Sequence, residues 1–301
     1  MTDAIARRGM RHGFAQRFVA GETLEEALAA SAELNRTGRQ VSLNHLGENV
    51  TTREEAEGVK SSYINEVRAL QNAGIDGNIS IKLTQLALDL DHALCERLTM
   101  EIAAEAAELG RPIEIDMEGT AYTDVTLDIF EAVRRRFDDV CLAIQAYLHR
   151  SEKDIERLAL LRPKLRLVKG AYREPPALAI QKKSDVDAAY RRLLEKLLDG
   201  RFFPAVATHD PAMQEYAKQL IRERKIPPEK YEFQMIYGVR RDLQEQVRQQ
   251  GHPLRVYVPF GTEWCPYFMR RLAERPANCW FVVRSLIAEG LKPRMNTDKH
   301  R

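Results

Sequence analysis

Cysteine is scarce in this chain. Cys95, Cys141, Cys265 and Cys279 are the whole complement in 301 residues, with no paired spacing and no CxxC. That excludes a disulfide framework and a cysteine zinc site, and it fits a reducing compartment. The histidines His12, His45, His92, His149, His209, His252 and His300 are scattered, with no HxH or HExxH, so no metal site is expected. GxGxxG is missing, which removes the main signature of a doubly wound dinucleotide-binding sheet. No apolar run approaches the ~20 residues that span a bilayer. Neither sign of charge dominates: 46 basic residues face 44 acidic ones, for a formal net charge of +2. With no basic stripe interleaved with aromatics, a nucleic-acid partner is not expected. Residues 1–16 are polar and Arg-rich, not a signal segment. Arg7, Arg8, Arg11 and Arg17 read as a solvated helix face, with contact to anionic lipid as the alternative. A soluble, cytoplasmic protein is the expectation.

What the chain does have is repetition of one pattern. Short apolar or β-branched runs end in polar or charged residues at 41–48, 79–85, 112–118, 140–147, 165–172, 202–210, 231–238 and 254–261. Each is followed by helical periodicity, and eight such units point to an α/β fold, a (β/α)8 barrel. Ahead of the first strand, Thr23-Leu24-Glu25-Glu26 forms a capping-box pattern, and Gly38 is placed to end that helix. Leu24, Leu28 and Leu34 supply a stripe able to pack on the barrel. A second capping box, Thr52-Arg53-Glu54-Glu55, opens a helix to about residue 73. Further helices are expected at 93–109, 127–136, 152–161, 185–198, 212–224 and 239–249, with a last one over 266–273 capping the barrel mouth. The organisation expected is an N-terminal helical arm (1–40), a catalytic barrel (41–290) and a frayed tail (291–301).

Barrel chemistry sits at the C-terminal ends of the strands, and side chains alternate along a strand. In the second run Ser80, Lys82 and Thr84 share a face opposite Ile81 and Leu83. An inward lysine is costly unless an anion meets it, either a ligand or Asp116 on the next strand. Glu114, Asp116 and Glu118 share one face of the third run. Their mutual repulsion calls for cations such as Lys82 or Arg166, or else for a metal. In the fifth run Arg166, Val168, Gly170 and Tyr172 share a face, whereas Lys169 points the other way and is no inward Schiff-base lysine. Gly170 permits close backbone approach by a ligand. Ala207-Thr208-His209-Asp210 precedes a helix near Pro211, where backbone N–H groups can hold a phosphate and Asp210 can act as the cap. Tyr267, Arg270, Arg271 and Glu274 crowd one side of the last helix. Adjacent arginines suit a carboxylate, although paired surface arginines are common.

Together these motifs resemble the proline dehydrogenase family, in particular its short monofunctional bacterial members. The marks are Leu46-Gly47-Glu48, Ile79-Ser80-Ile81-Lys82-Leu83, Ile115-Asp116-Met117-Glu118, Ile144-Gln145-Ala146-Tyr147 and Arg166-Leu167-Val168-Lys169-Gly170-Ala171-Tyr172. Further along stand Ala207-Thr208-His209-Asp210, Glu232-Phe233-Gln234, Tyr257-Val258-Pro259 and Tyr267-x-x-Arg270-Arg271-x-x-Glu274. The resemblance implies FAD held non-covalently in the barrel and oxidation of L-proline to Δ1-pyrroline-5-carboxylate. Hydride would pass to flavin N5 and electrons then to a quinone, with peripheral membrane contact left open. It implies catalytic roles for Asp116 and Arg166, the latter near N5. Lys82, Arg270 and Arg271 would bind the proline carboxylate, and Tyr257 and Tyr267 would pack on its ring. Glu48 would pair with Arg270 as a gate. Met117, Gln145, Val168, Lys169, Gly170 and Glu274 would contact the cofactor, and Thr208 and His209 would hold its pyrophosphate. Three cations around one carboxylate would leave the pocket positive and lower the pKa of the substrate amine. Arg173 stands where larger bifunctional relatives have tryptophan.

On the residues alone, a class I aldolase-type barrel with Lys82 as the Schiff-base amine competes, as does a non-catalytic anion-binding barrel.

Overall fold

The computed structural model describes residues 16–47 and 49–264. Glu48, Tyr267, Arg270, Arg271, Glu274, Cys265 and the expected helix over 266–273 lie outside the described residues. The parallel strands are β1 (Gln40–His45), β2 (Gly77–Ile81), β3 (Ile113–Ile115), β4 (Val140–Gln145), β5 (Lys164–Val168), β6 (Phe203–Ala207), β7 (Glu232–Ile236) and β8 (Leu254–Phe260). They close in sequence order into one barrel, β8 pairing with β1. The helices are α1 (Leu24–Arg36), α2 (Arg53–Asn72), α3 (His92–Glu108), α4 (Thr123–Arg134), α5 (Ser151–Leu158), α6 (Lys183–Leu197), α7 (Pro211–Glu223) and α8 (Arg241–Gln249). The (β/α)8 architecture read from the repeats is the architecture found. Among the described residues no helix is long and apolar enough to cross a membrane.

Local chemistry explains the boundaries. Both capping boxes form: the Thr23 and Thr52 hydroxyls accept from the backbone of Glu26 and Glu55, whose carboxylates reach back to the cap. Pro211 occupies the first turn of α7, where its missing N–H costs nothing, and Asp210 caps it by accepting from Ala212 N–H at 3.0 Å. Each run yields a strand shorter than itself, and β2 and β3 show why. After Ile81 the chain turns into a 3-10 helix, Leu83–Leu86, because Leu83 and Leu86 enter the apolar core, and Ala87 closes the turn in the left-handed region at φ 68°. After Ile115 the ladder continues only through Asp116 N–H, which donates to Ile81 O at 2.9 Å.

The apolar faces of the strands join the helices in one continuous core that includes Val41, Leu43, Ile79, Ile81, Ile113, Ile115, Leu165, Leu167, Phe233 and Val256. Leu24, Leu28 and Leu34 of α1 pack on it as expected. Residues just before α1 are tied to the end of β8, with Ala20 N–H donating to Pro259 O at 2.8 Å and Gly261 N–H to Gly21 O at 3.0 Å. At the far end Asn35 bonds Arg39 O and the backbone N–H of Asp76. The segment from Ala20 through α1 thus runs the height of the barrel and covers the seam between β8 and β1.

Candidate active site

The inward faces of this barrel are polar. Strand register carries one face round the closure: Ser42 pairs with Asn78 and Tyr257, Ser80 with Glu114, Arg166 with Ala143 and Ala205, and Gln234 with Arg255 and Ala207. Barrel interiors are usually filled by branched apolar side chains. Here Ser42, Asn78, Ser80, Glu114, Arg166, Glu232, Gln234 and Arg255 are all buried. Buried charge persists only when paired and hydrogen-bonded, and the pairs are present. Low in the barrel, Arg255 bonds Glu232 at 3.0 Å, Asn78 Oδ1 at 3.2 Å and Val41 O at 3.0 Å, and Lys164 reaches Glu232 at 2.9 Å. Above them Glu114 accepts from Gln234 at 2.6 Å, Ser42 at 3.3 Å and Arg166 at 2.9 Å. The alanines on the strands flanking Arg166 leave room for its guanidinium.

At the mouth these layers end in a compact charged cluster. Arg166, only 6% exposed, donates to Asp116 through Nη2 and to Ser80 Oγ through Nη1 at 3.5 Å. Its guanidinium lies 5.4 Å from the centre of the Tyr257 ring, and the Tyr257 hydroxyl donates to Asp116 Oδ2 at 2.8 Å. Ser80 Oγ donates to Asp116 Oδ1 at 2.7 Å. Lys82 Nζ sits 3.5 Å from Asp116 Oδ2 and donates to Asn44 Oδ1 at 3.4 Å. Burial works to raise the Asp116 pKa, but the Arg166 and Lys82 charges and the Ser80 hydrogen bond outweigh it and hold the carboxyl well below its usual range. Asp116 is therefore ionised near neutrality: a charge partner, and a poor base.

Ser80 of β2, Lys82 just after β2, Asp116 just after β3, Arg166 of β5 and Tyr257 of β8 do meet. Glu118 follows another course and accepts from the Thr84 hydroxyl at 2.7 Å and the Thr84 N–H at 3.1 Å. Burial raises its pKa against those bonds. Gln145 spans neighbouring strand ends, donating to Glu118 O at 2.9 Å and accepting from Ala171 N–H at 3.4 Å. Met117 belongs to the apolar core. Lys169 faces outward, as alternation requires, and pairs with Asp187 at 2.5 Å and Asp210 at 2.6 Å. Gly170 sits at φ +122°, and a Cβ there would collide with the Tyr147 ring, so close approach of backbone to ring is built in. The Thr208 hydroxyl accepts from Asp210 N–H at 3.1 Å. Asn44, Ser42 and Arg255 are not among the residues that the sequence points to, and Glu232 enters there only as part of the Glu232-Phe233-Gln234 motif, although the same period-two polarity marks Gln40-x-Ser42-x-Asn44 and Arg255-x-Tyr257.

His209 accepts a hydrogen bond at Nε2 from Ile236 N–H at 2.9 Å. A backbone amide can only donate, so the neutral ring carries its proton on Nδ1. Burial, with help from Arg240, lowers its pKa from 6.5 to about 4. The unfolded chain therefore binds this proton in a window, between 6.5 and about 4, where the folded chain does not, and stability falls as pH falls through it. His209→Asn is expected to remove about 2 kcal/mol of acid sensitivity across that window, read by urea unfolding at a series of pH values. Parallel curves for the two proteins would refute the assignment.

Comparison with known proteins bears on the family and on the fold. The family profile described as Proline dehydrogenase matches residues 27–284. Proline dehydrogenase 1 of Bacillus subtilis subsp. natto is 40% identical over 280 residues, covering 93% of this chain and 92% of the relative. Proline dehydrogenase of Deinococcus radiodurans is 39% identical over 290 residues, covering 95% and 93%. Among solved structures, proline utilization A (PutA) from Bdellovibrio bacteriovorus, inactivated by N-propargylglycine, superposes with a TM-score of 0.84 at 24% identity. That match covers 99% of this chain and 37% of the longer PutA chain. It speaks to the barrel fold.

Proposed function

Because this chain belongs to the proline dehydrogenase family, we propose that it oxidises L-proline to Δ1-pyrroline-5-carboxylate with FAD as cofactor and a quinone as final electron acceptor. The observation that carries the proposal is the cluster of Lys82, Asp116, Arg166 and Tyr257 at the barrel mouth. The residues present fit a flavin. Arg166 Nε is buried and finds no hydrogen-bond partner among the described residues, a donor left over for a ligand. Gly170 holds backbone against the Tyr147 ring at the tip of β5. Arg166, Gln145 and the backbone of Val168, Lys169 and Gly170 would hold the isoalloxazine, and Thr208 with the Nδ1–H of His209 would hold the pyrophosphate. A bound flavin supplies the hydride acceptor.

The remaining work falls to side chains. Lys82 would anchor the proline carboxylate, together with Arg270 and Arg271. Tyr257, its hydroxyl committed to Asp116, would present its ring as a wall for the pyrrolidine, which makes hydride departure a matter of positioning. Asp116, held ionised, keeps Arg166 in place, offsets the charge of Lys82 and leaves the amine proton to water. Among the described residues the charges balance, Lys82 and Arg166 against Glu114 and Asp116. The positive surplus expected around the substrate carboxylate therefore rests on Arg270 and Arg271.

Lys82 shares Asp116 with a guanidinium and a phenol, the company of a cationic anchor, which favours this reading over an aldolase. The test is an absorbance spectrum of purified protein before and after anaerobic addition of proline. Flavin bands that bleach with proline are expected. A colourless protein, trapped instead by borohydride with a carbonyl substrate, would establish the Schiff-base alternative.

A further inference from the structure

Lys82 is held by weak direct contacts, 3.4 Å to Asn44 Oδ1 and 3.5 Å to Asp116 Oδ2. Distances of this length do not fix a flexible four-carbon side chain. Its place must come from its backbone, and that backbone has an unusual anchor. Tyr63, midway along α2, is fully buried among residues such as Ala56, Val67 and Leu70. Packing alone would accept phenylalanine there. A buried hydroxyl costs about 1–3 kcal/mol unless it is satisfied, and the partners that satisfy this one belong to the Lys82 segment. The Tyr63 hydroxyl accepts from Lys82 N–H at 3.3 Å and donates to Gln85 Oε1. Gln85, 5% exposed, lies on the 3-10 turn after β2, and its own N–H donates to Lys82 O at 3.2 Å. Its amide nitrogen occupies the space that a Cβ at Gly47 would need. One hydroxyl thus ties α2, both peptide groups of Lys82 and the chain leaving β1 into a single unit. Burial pushes the Tyr63 phenol well above its usual pKa, so it remains a donor.

We propose that Tyr63 and Gln85 are positioning residues for Lys82, setting the height at which its ammonium meets the substrate carboxylate. This rests on the reading of Lys82 as a carboxylate anchor, and the test separates the two. The holoenzyme and its Tyr63→Phe, Gln85→Met and Lys82→Met variants are compared for flavin content, for kcat and KM with proline, and for Kd of cyclopentanecarboxylate, read from perturbation of the flavin spectrum. Tyr63→Phe and Gln85→Met are expected to raise KM and Kd together by about five- to tenfold, the equivalent of one buried hydrogen bond, with kcat within about twofold and flavin content unchanged. Lys82→Met is expected to raise both by about a hundredfold. If Lys82→Met leaves Kd unchanged, the anchor reading falls and this inference falls with it. If Lys82→Met weakens binding while the other two variants keep wild-type KM and Kd, the inference alone is overturned, even if their melting temperatures drop. Should Tyr63→Phe not fold, Gln85→Met decides on the same readouts.

Discussion

An Arg166→Met enzyme is expected to lose about a hundred- to thousandfold in kcat/KM for proline and to purify with less flavin, the scale of loss when a preorganised charged donor is removed from a site. Arg166 is where the two carboxylate layers meet, bonded to Glu114 at 2.9 Å and to Asp116, with its guanidinium against the Tyr257 ring. Methionine leaves Glu114 to Gln234 and Ser42, and Asp116 to Lys82, Ser80 and Tyr257. Lysine is not a remedy, because one ammonium cannot reproduce a planar fork that serves two carboxylates at once. Arg166→Lys should recover only part of the loss. Asp116 gives the pH signature. Its folded pKa is depressed, so the stability it contributes is present above the ordinary carboxyl range and is lost as pH falls from that range through the depressed folded value. The stability gap between wild type and Arg166→Met should therefore be full at neutral pH and should narrow in acid. Steady-state kinetics, flavin content and urea unfolding at two pH values decide the matter. Wild-type kcat/KM with full flavin in Arg166→Met would remove this residue from the mechanism.

The second large effect is on stability. Arg255→Met should cost about 3–5 kcal/mol in unfolding free energy, because breaking a buried ion pair from one side leaves the Glu232 carboxylate with Lys164 as its remaining counter-charge and strips it of the guanidinium hydrogen bonds. Glu232 is 3% exposed, and its carboxyl titrates below the usual range: burial raises it, but Arg255 and Lys164 prevail. Arg255 also satisfies Gln40, Asn78 and the Val41 carbonyl, all of which methionine abandons. Adding Glu232→Gln to Arg255→Met removes the half-paired buried carboxylate and should restore part of the loss, a coupling that a double-mutant cycle measures directly. A single-variant cost below about 1 kcal/mol, or strict additivity in the cycle, would mean that the lower layer is better hydrated than its burial implies.

Much of the architecture was legible because it follows from periodicity. A strand in a barrel must alternate, a covering helix must repeat near 3.6 residues, and Thr-x-x-Glu satisfies orphan amides at a helix start wherever it stands. Hence the runs at 140–147 and 165–172 became strands, and Thr23 and Thr52 became caps. The inward grouping of Ser80 with Lys82, of Glu114 with Asp116, and of Arg166 was legible for the same reason. Strand ends were less so. Whether a run stops at Ile81 depends on Leu83 and Leu86 finding the core, which is not local information. The pairing of Arg255 with Glu232 is not legible in the sequence, because two charges 23 positions apart are neighbours only once β7 and β8 pair.

Residue order alone carries the eight-stranded barrel and, through its motifs, the family, and it directs attention to the strand ends. Periodicity and capping act within a few residues, and motifs are written in residue types, so both survive without coordinates. It takes the closed barrel to show that Asp116 is shared by Arg166, Lys82, Ser80 and Tyr257, that Glu118 is committed to Thr84, and that His209 is neutral with its proton on Nδ1. Register decided it. Parallel strands brought into alignment by barrel closure place residues from β1, β2, β5 and β8 within hydrogen-bond reach, and the strength of each contact depends on burial, which is a property of the closed barrel and of no single segment.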